Sequence, residues 1–118
     1  DLGEAITGDI PAFNKTKMDE EIEDKEITQL INTLPESYRE KLSNLFKEMN
    51  ELQTLEARIY KALDKMETLV QHNEADISTW LPLEYKLNLE YGEEAVSFSS
   101  YMKELRNKIC NDSLKKME

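Results

Sequence analysis

Pro35-Glu36-Ser37-Tyr38-Arg39-Glu40-Lys41-Leu42-Ser43-Asn44-Leu45-Phe46-Lys47-Glu48-Met49 decides the fold class of this chain. Tyr38, Leu42, Leu45, Phe46 and Met49 recur at spacings of three and four, which lines them along one side of an α-helix. Pro35 punctuates what precedes it, and a proline at a first helical position followed by Glu36 starts the helix. On the N-terminal side, Asp19 to Leu34 repeats the pattern with Ile22, Ile27, Leu30, Ile31 and Leu34, and its acidic first turn suits the helix dipole. Phe13 to Lys17 reads as a loop.

On the C-terminal side, Thr54 is a natural N-cap for a helix of about twenty residues ending near Asn73, with Ile59, Leu63, Met66 and Val70 on one stripe. Residues 74–82 read as a loop or short turn. A helical stretch through Leu83, Leu87 and Tyr91 follows, closed by Gly92. A terminal helix from about Glu93 to Ile109 buries Phe98, Met102, Leu105 and Ile109, and a frayed charged tail ends the chain. With only three glycines, three prolines and few alternating β-branched runs in 118 residues, the expectation is one all-α domain over 1–118.

Composition narrows the partners. The chain has 25 acidic and 15 basic residues, a formal net charge of −10, and that field repels nucleic-acid polymers and anionic membrane surfaces. A small anionic substrate stays open if metal ions or a local lysine cancel the repulsion. The single cysteine, Cys110, can form no internal disulfide and has no companion for a zinc cluster, which points to a reducing compartment. No apolar run reaches membrane-spanning length, so a cytoplasmic protein is expected. The chain begins on Asp1 as though inside an element, with an N-terminal segment left out.

The chemistry concentrates in Asp1-Leu2-Gly3-Glu4-Ala5-Ile6-Thr7-Gly8-Asp9-Ile10-Pro11. If residues 1–7 are the last turns of a helix, Asp1 and Glu4 share a face and Gly8 ends it. Asp9 re-enters from the turn and Pro11 stops the helix resuming, so three carboxylates can converge on a hard cation. The competing reading is a solvated acidic turn. A helix C-terminus disfavours carboxylates, and that mismatch is what function overriding stability would leave behind.

These residues resemble the HD-domain metal-dependent phosphohydrolases, and specifically their small 5′-deoxynucleotidase branch. Asp1, Glu4 and Gly8-Asp9-Ile10-Pro11 are similar to the branch's His-Asp pair, its glutamate three residues on, and its Gly-Asp-Ile/Leu-Pro turn. Leu34-Pro35-Glu36 and Leu45-Phe46-Lys47-Glu48 resemble its next block. Glu56-Ala57-Arg58 and Leu63-Asp64-Lys65-Met66-Glu67 resemble its late ligand helix. The resemblance covers residues 1–72 and fades beyond Asn73.

It implies an HD-domain helical bundle, N-terminally incomplete here. Asp1 and Asp64 would bind the principal metal with two histidines, one directly before residue 1 and one on an earlier helix. Glu4 would orient or deprotonate the attacking water, or hold a second ion with Asp9. Carboxylate and imidazole ligands suit Mn²⁺, Co²⁺, Fe²⁺, Mg²⁺ or Zn²⁺, and a bound ion lowers the pKa of water. The implied reaction hydrolyses a (deoxy)nucleoside 5′-monophosphate.

Other residues carry a plainer alternative. His72 matches no family ligand and reads as an ordinary surface or half-buried histidine. By periodicity Asp64 falls about 140° from the stripe through Ile59 and Leu63, which makes it solvent-facing. The resemblance instead puts Tyr60, Asp64 and Glu67 on a second, polar seam. Lys15 and Lys17 could balance a substrate phosphate, although loop lysines are usually just solvated. Thr7 could donate to phosphate, but a helix-end hydroxyl more often bonds its own backbone. Trp80 reads as a packing anchor sooner than a base-stacking wall.

The expectation is therefore an HD-type hydrolase that takes a small nucleotide, with Asp1, Glu4, Asp9 and Asp64 as its site residues. The alternative is a non-catalytic acidic helical interaction module. Either would leave apolar surface open, so a homo-oligomer, most simply a dimer, is expected.

Overall fold

A computed structural model describes residues 1–118. It is all-α, with six helices and no strand: α1 (Glu4–Thr7), α2 (Lys17–Asn32), α3 (Glu36–Glu51), α4 (Leu55–Glu74), α5 (Pro82–Glu90) and α6 (Ser100–Met117), with 3₁₀ turns at Ala12–Asn14 and Ile77–Thr79. No helix is long and apolar enough to cross a membrane. The chain divides into two compact units, residues 1–48 and 49–118, and the boundary falls inside α3.

In the first unit α1 packs on α2. Gly3 makes this possible, because a β-carbon there would meet Ile27 Cδ1 at 3.1 Å and Glu23 Cβ at 3.3 Å. Gly8 follows α1 at φ +88°, a backbone conformation that only glycine adopts cheaply. The helix α2 begins two residues before the sequence suggests. Thr16 caps it, since its Oγ1 accepts from the Asp19 amide while Asp19 Oδ2 accepts from the Thr16 amide, a reciprocal capping box. The segment read as a loop, Phe13 to Lys17, carries part of the Ala12–Asn14 turn and the first residue of α2.

The second unit is built on α4, which packs on α6, while α5 packs on α6. Thr54 caps α4 by accepting from the Ala57 amide at 3.2 Å, and the helix is 20 residues long, as its sequence suggests. Its buried stripe is rotated from the expected one. Ala57, Ala62, Met66 and Leu69 are buried, whereas Leu63 and Val70 are exposed. Alanines give weak sequence signal, yet small side chains let a facing helix approach closely, so 62, 66 and 69 form the seam. Trp80, Val96 and Ile109 complete the core. Trp80 is a packing anchor: its Nε1 donates to the His72 carbonyl at 2.8 Å and its ring meets Tyr85 edge-on.

The terminal helix differs most from expectation. Residues 93–98 form successive turns, and α6 starts at Ser100 under a Ser99 cap that accepts from the Met102 amide. Gly92 at φ +81° breaks the chain direction there. The tail is not frayed, because Ile109 and Ser113 are buried and hold the last turns in place. Cys110 is half-buried with its Sγ 3.7 Å from the Leu89 carbonyl, and burial pushes its thiol pKa up. A thiol so placed is a packing group and a poor nucleophile.

Arg106 ties α6 to the end of α5. It is buried, its Nη2 donates to the Leu89 carbonyl at 2.6 Å, and its Nε donates to the Tyr91 carbonyl at 3.0 Å. These carbonyls lie at a helix C-terminus, where a cation is favoured and acceptors lack intrahelical donors. Arg106→Met should lower unfolding stability by about 2–3 kcal/mol, measured as a lower urea midpoint. Arg106→Lys keeps the charge without the fork and should recover only part of the loss.

Candidate metal centre and its surroundings

Asp1, Glu4 and Asp9 lie where the sequence puts them, around a one-turn helix ended by Gly8. The Ala5 amide bonds the Asp1 carbonyl at 2.9 Å, so the helical path begins at Asp1, and the Gly8 amide closes it on the Glu4 carbonyl at 2.8 Å. The three carboxylates do not gather. Within the first unit no three such groups come together in a way that would hold a metal ion.

Glu4 is turned to a different partner. Lys15 Nζ lies 3.1 Å from Glu4 Oε1 and 2.8 Å from Glu23 Oε1, and all three side chains are about four-fifths shielded from water. Its hydrogen bond from Lys15 is the main reason the Glu4 carboxyl is held below the usual carboxylate range, against an opposing effect of burial. Burial alone would lower the lysine pKa, but bonds to Glu23 and Glu4 outweigh it and push the pKa up. The expected counter-charge for a substrate phosphate thus serves as a clamp on Glu4. Glu23, which joins α2 to this clamp, was missed as a site neighbour because its sequence surroundings are uniformly acidic.

The clamp makes a pH prediction with a defined sign. Glu4 has a folded pKa below its ordinary 4.5, so its contribution is present above that pH and is lost as the pH falls through the folded value. Lys15 is raised above its ordinary 10.5, so its contribution is present below that pH and is lost as the pH rises through the folded value. Lys15→Met should cost about 1 kcal/mol at neutral pH and flatten both limbs of a plot of thermal midpoint against pH.

Thr7 has its hydroxyl 3.2 Å from the Gly3 carbonyl and 3.3 Å from the Gly8 carbonyl, so it bonds local backbone. Asp9 is exposed. The Asp1 side chain is fully exposed.

Asp64 is on α4 in the second unit, two residues past buried Ala62 and therefore about 200° around the helix from it. Its side chain is about half exposed, and Lys61 Nζ approaches Oδ2 only to 3.9 Å. Tyr60, Leu63 and Glu67 are exposed on the same side of the helix. Asp1 and Asp64 thus belong to different units, each with carboxylate oxygens open to a hard cation.

His72 is committed elsewhere. Asn88 Nδ2 donates to Asn73 Oδ1 at 3.2 Å and to Ser113 Oγ at 2.6 Å, so Asn88 Oδ1 must be the acceptor for His72 Nδ1 at 2.9 Å. His72 Nε2 lies 3.5 Å from Glu84 Oε1. Glu84 also reaches back to accept from the Leu81 amide at 2.8 Å, capping α5. The donor set available for a metal in this chain is therefore carboxylate oxygen. Asp1 in the first unit and Asp64 in the second each offer open carboxylate oxygens, whereas Glu4 is held by Lys15.

A family model for the HD domain matches residues 1–106. No curated protein and no solved structure matches the chain. The model spans both carboxylate positions, Asp1 and Asp64, and the helices that carry them, so the chain belongs to the HD domain family, whose members are generally metal-dependent phosphohydrolases.

Proposed function

We propose that this chain is part of a metal-dependent phosphohydrolase that releases phosphate from (deoxy)nucleoside 5′-monophosphates. The observation that supports the reading is the pair of open carboxylates, Asp1 and Asp64, within the span that the HD-domain family model matches. Asp1 and Asp64 would hold the ion, together with the imidazole ligands that the resemblance implies. A bound Mn²⁺, Co²⁺, Mg²⁺, Fe²⁺ or Zn²⁺ supplies an activated water and charge neutralisation for the phosphoryl oxygens. Glu4, kept ionised by Lys15, accepts a hydrogen bond from the attacking water and fixes its direction. Asp9, one residue past the Gly8 turn, is the other carboxylate on hand to orient it or to hold a second ion. In this scheme Lys15 and Thr7 meet the substrate phosphate only if Lys15 exchanges one of its glutamates for it.

The test is release of inorganic phosphate from a panel of nucleoside 5′-monophosphates by the full-length protein with Mn²⁺, Co²⁺, Mg²⁺, Fe²⁺ or Zn²⁺ in turn. Turnover that stops with EDTA and returns with metal is expected. No turnover on any member of the panel with any of the five metals would contradict the reading.

A second reading, a helical interaction module working through a second copy of the chain, is favoured by α3. That helix has the clearest apolar side in the sequence but no buried residue, with Tyr38 and Leu45 more than half exposed. Sedimentation of wild type against Leu45→Glu separates the two readings, since a dimer held by this face should become a monomer while phosphatase activity persists only if the first reading holds.

A further inference from the structure

The second unit contains a cleft of about 510 Å³ whose lining includes Arg58, Lys61 and Lys65 from α4 and Glu94, Ser97 and Phe98 from the turns before α6. Its size lies within the range of small-molecule sites. Three cations against Glu94 in the lining and Asp64 beside Lys61 still leave a local excess of positive charge in a chain whose formal net charge is −10. Residues 58, 61 and 65 are spaced by three and four, so the cations stand along one side of the helix.

Arg58 and Lys65 are oriented by contacts that leave their charges available. Arg58 Nε donates to the Leu52 carbonyl at 3.0 Å, which leaves its terminal nitrogens for another acceptor. Leu52 provides that carbonyl from a backbone at φ 54°, a conformation that is strained for leucine and fixes where Arg58 is anchored. Lys65 Nζ stands 5.3 Å from the centroid of the Tyr91 ring, a contact that orients an ammonium without neutralising it. Lys61 has only the 3.9 Å approach to Asp64. The rest of the lining includes Leu52, Ala95 and half-buried Phe98, which give the cleft apolar surface beside the charges.

We propose that this cleft binds a small organic phosphate, with the phosphoryl oxygens between Arg58, Lys61 and Lys65 and a flat apolar body against Phe98. A guanidinium with free terminal nitrogens matches phosphate oxygens bidentately, and two ammonium groups add point charges beside it. Glu94 at the same cleft disfavours ligands of dispersed negative charge and leaves the α4 end as the anion's place. The site requires no metal, so its occupancy is measured separately from the proposed hydrolysis, although Lys61 also faces Asp64.

The experiment is calorimetric titration of the protein in EDTA with adenosine 5′-monophosphate, adenosine and inorganic phosphate as separate probes. Adenosine 5′-monophosphate should bind at least tenfold more tightly than either of the others, since it alone offers both parts. Lys61→Glu/Lys65→Glu should weaken that binding about a hundredfold, and Phe98→Ala should weaken adenosine 5′-monophosphate but leave inorganic phosphate unchanged. Thermal midpoints within a few degrees of wild type confirm that the variants fold. For a variant that does not fold, competition by rising NaCl on the wild-type protein gives the same information, because phosphate held by these cations must be displaced by salt. Equal affinity for all three probes, or binding unmoved by both the charge reversal and salt, overturns the proposal. Binding that persists in EDTA, together with no phosphatase activity when metal is restored, would retain this site and remove the hydrolase reading, so the two fail separately.

Discussion

Asn88→Ala should lower the stability of the second unit by about 3–4 kcal/mol and its thermal midpoint by about 10 °C or more. Asn88 is fully buried, as is Ser113, and the two join α5 to α6 while Asn73 and His72 bring in α4. Around them every polar atom has a partner: Asn88 donates to Asn73 and Ser113, Ser113 Oγ donates to Asn73 Oδ1 at 2.7 Å, and Asn73 Nδ2 donates to the Ile109 carbonyl at 3.0 Å. Truncating Asn88 leaves the His72 Nδ1–H and a Ser113 lone pair without partners where water has little access, and it opens a void as well. Ser113→Ala removes one hydroxyl and should cost less, about 1–2 kcal/mol. Because both act in one network, the double variant should lose less than the two losses added together. Additive losses in guanidinium melts would mean that the network is a set of independent bonds.

How much of this was legible in the sequence depends on whether the signal is local. Pro35 and Thr54 announce the starts of α3 and α4 because a ring-locked φ and a capping hydroxyl act on the residues beside them. The start of α6 was misplaced for the same reason. Glu93, Glu94 and Ala95 are good helix formers, and only the Ser99 cap, interacting with Met102, shows that the helix begins later. The sequence carries no local signal of the network of Asn73, Asn88 and Ser113, since it depends on partners 15 to 40 positions apart. At the candidate site, motif spacing singled out Asp1, Glu4, Asp9 and Asp64 as the carboxylates to test. The Lys15 clamp was not, because it depends on Gly3 allowing α1 to approach α2, which no periodicity reveals.

The second large effect concerns α4. Asp64→Ala in the full-length protein should reduce metal-dependent phosphate release by about a hundredfold or more, since loss of one ligand lowers ion occupancy and displaces the activated water. The fold should be unaffected, because Asp64 is about half exposed and its one close cation is 3.9 Å away; an exposed pair of that kind contributes at most about 1 kcal/mol. A loss of activity with an unchanged thermal midpoint therefore marks Asp64 as a ligand. Asp64→Glu should restore part of the metal affinity. Glu4→Gln should behave differently, keeping metal affinity while lowering turnover, because its proposed task is to direct water.

The account rests on Asp1 and Asp64 sharing one ion. Anomalous diffraction from crystals of the full-length protein grown with Mn²⁺ tests this directly. The prediction is a single strong peak within about 2.0–2.3 Å of a carboxylate oxygen from each of the two residues. A peak bound by only one of them, or two carboxyl groups too far apart to touch a common ion, would contradict it.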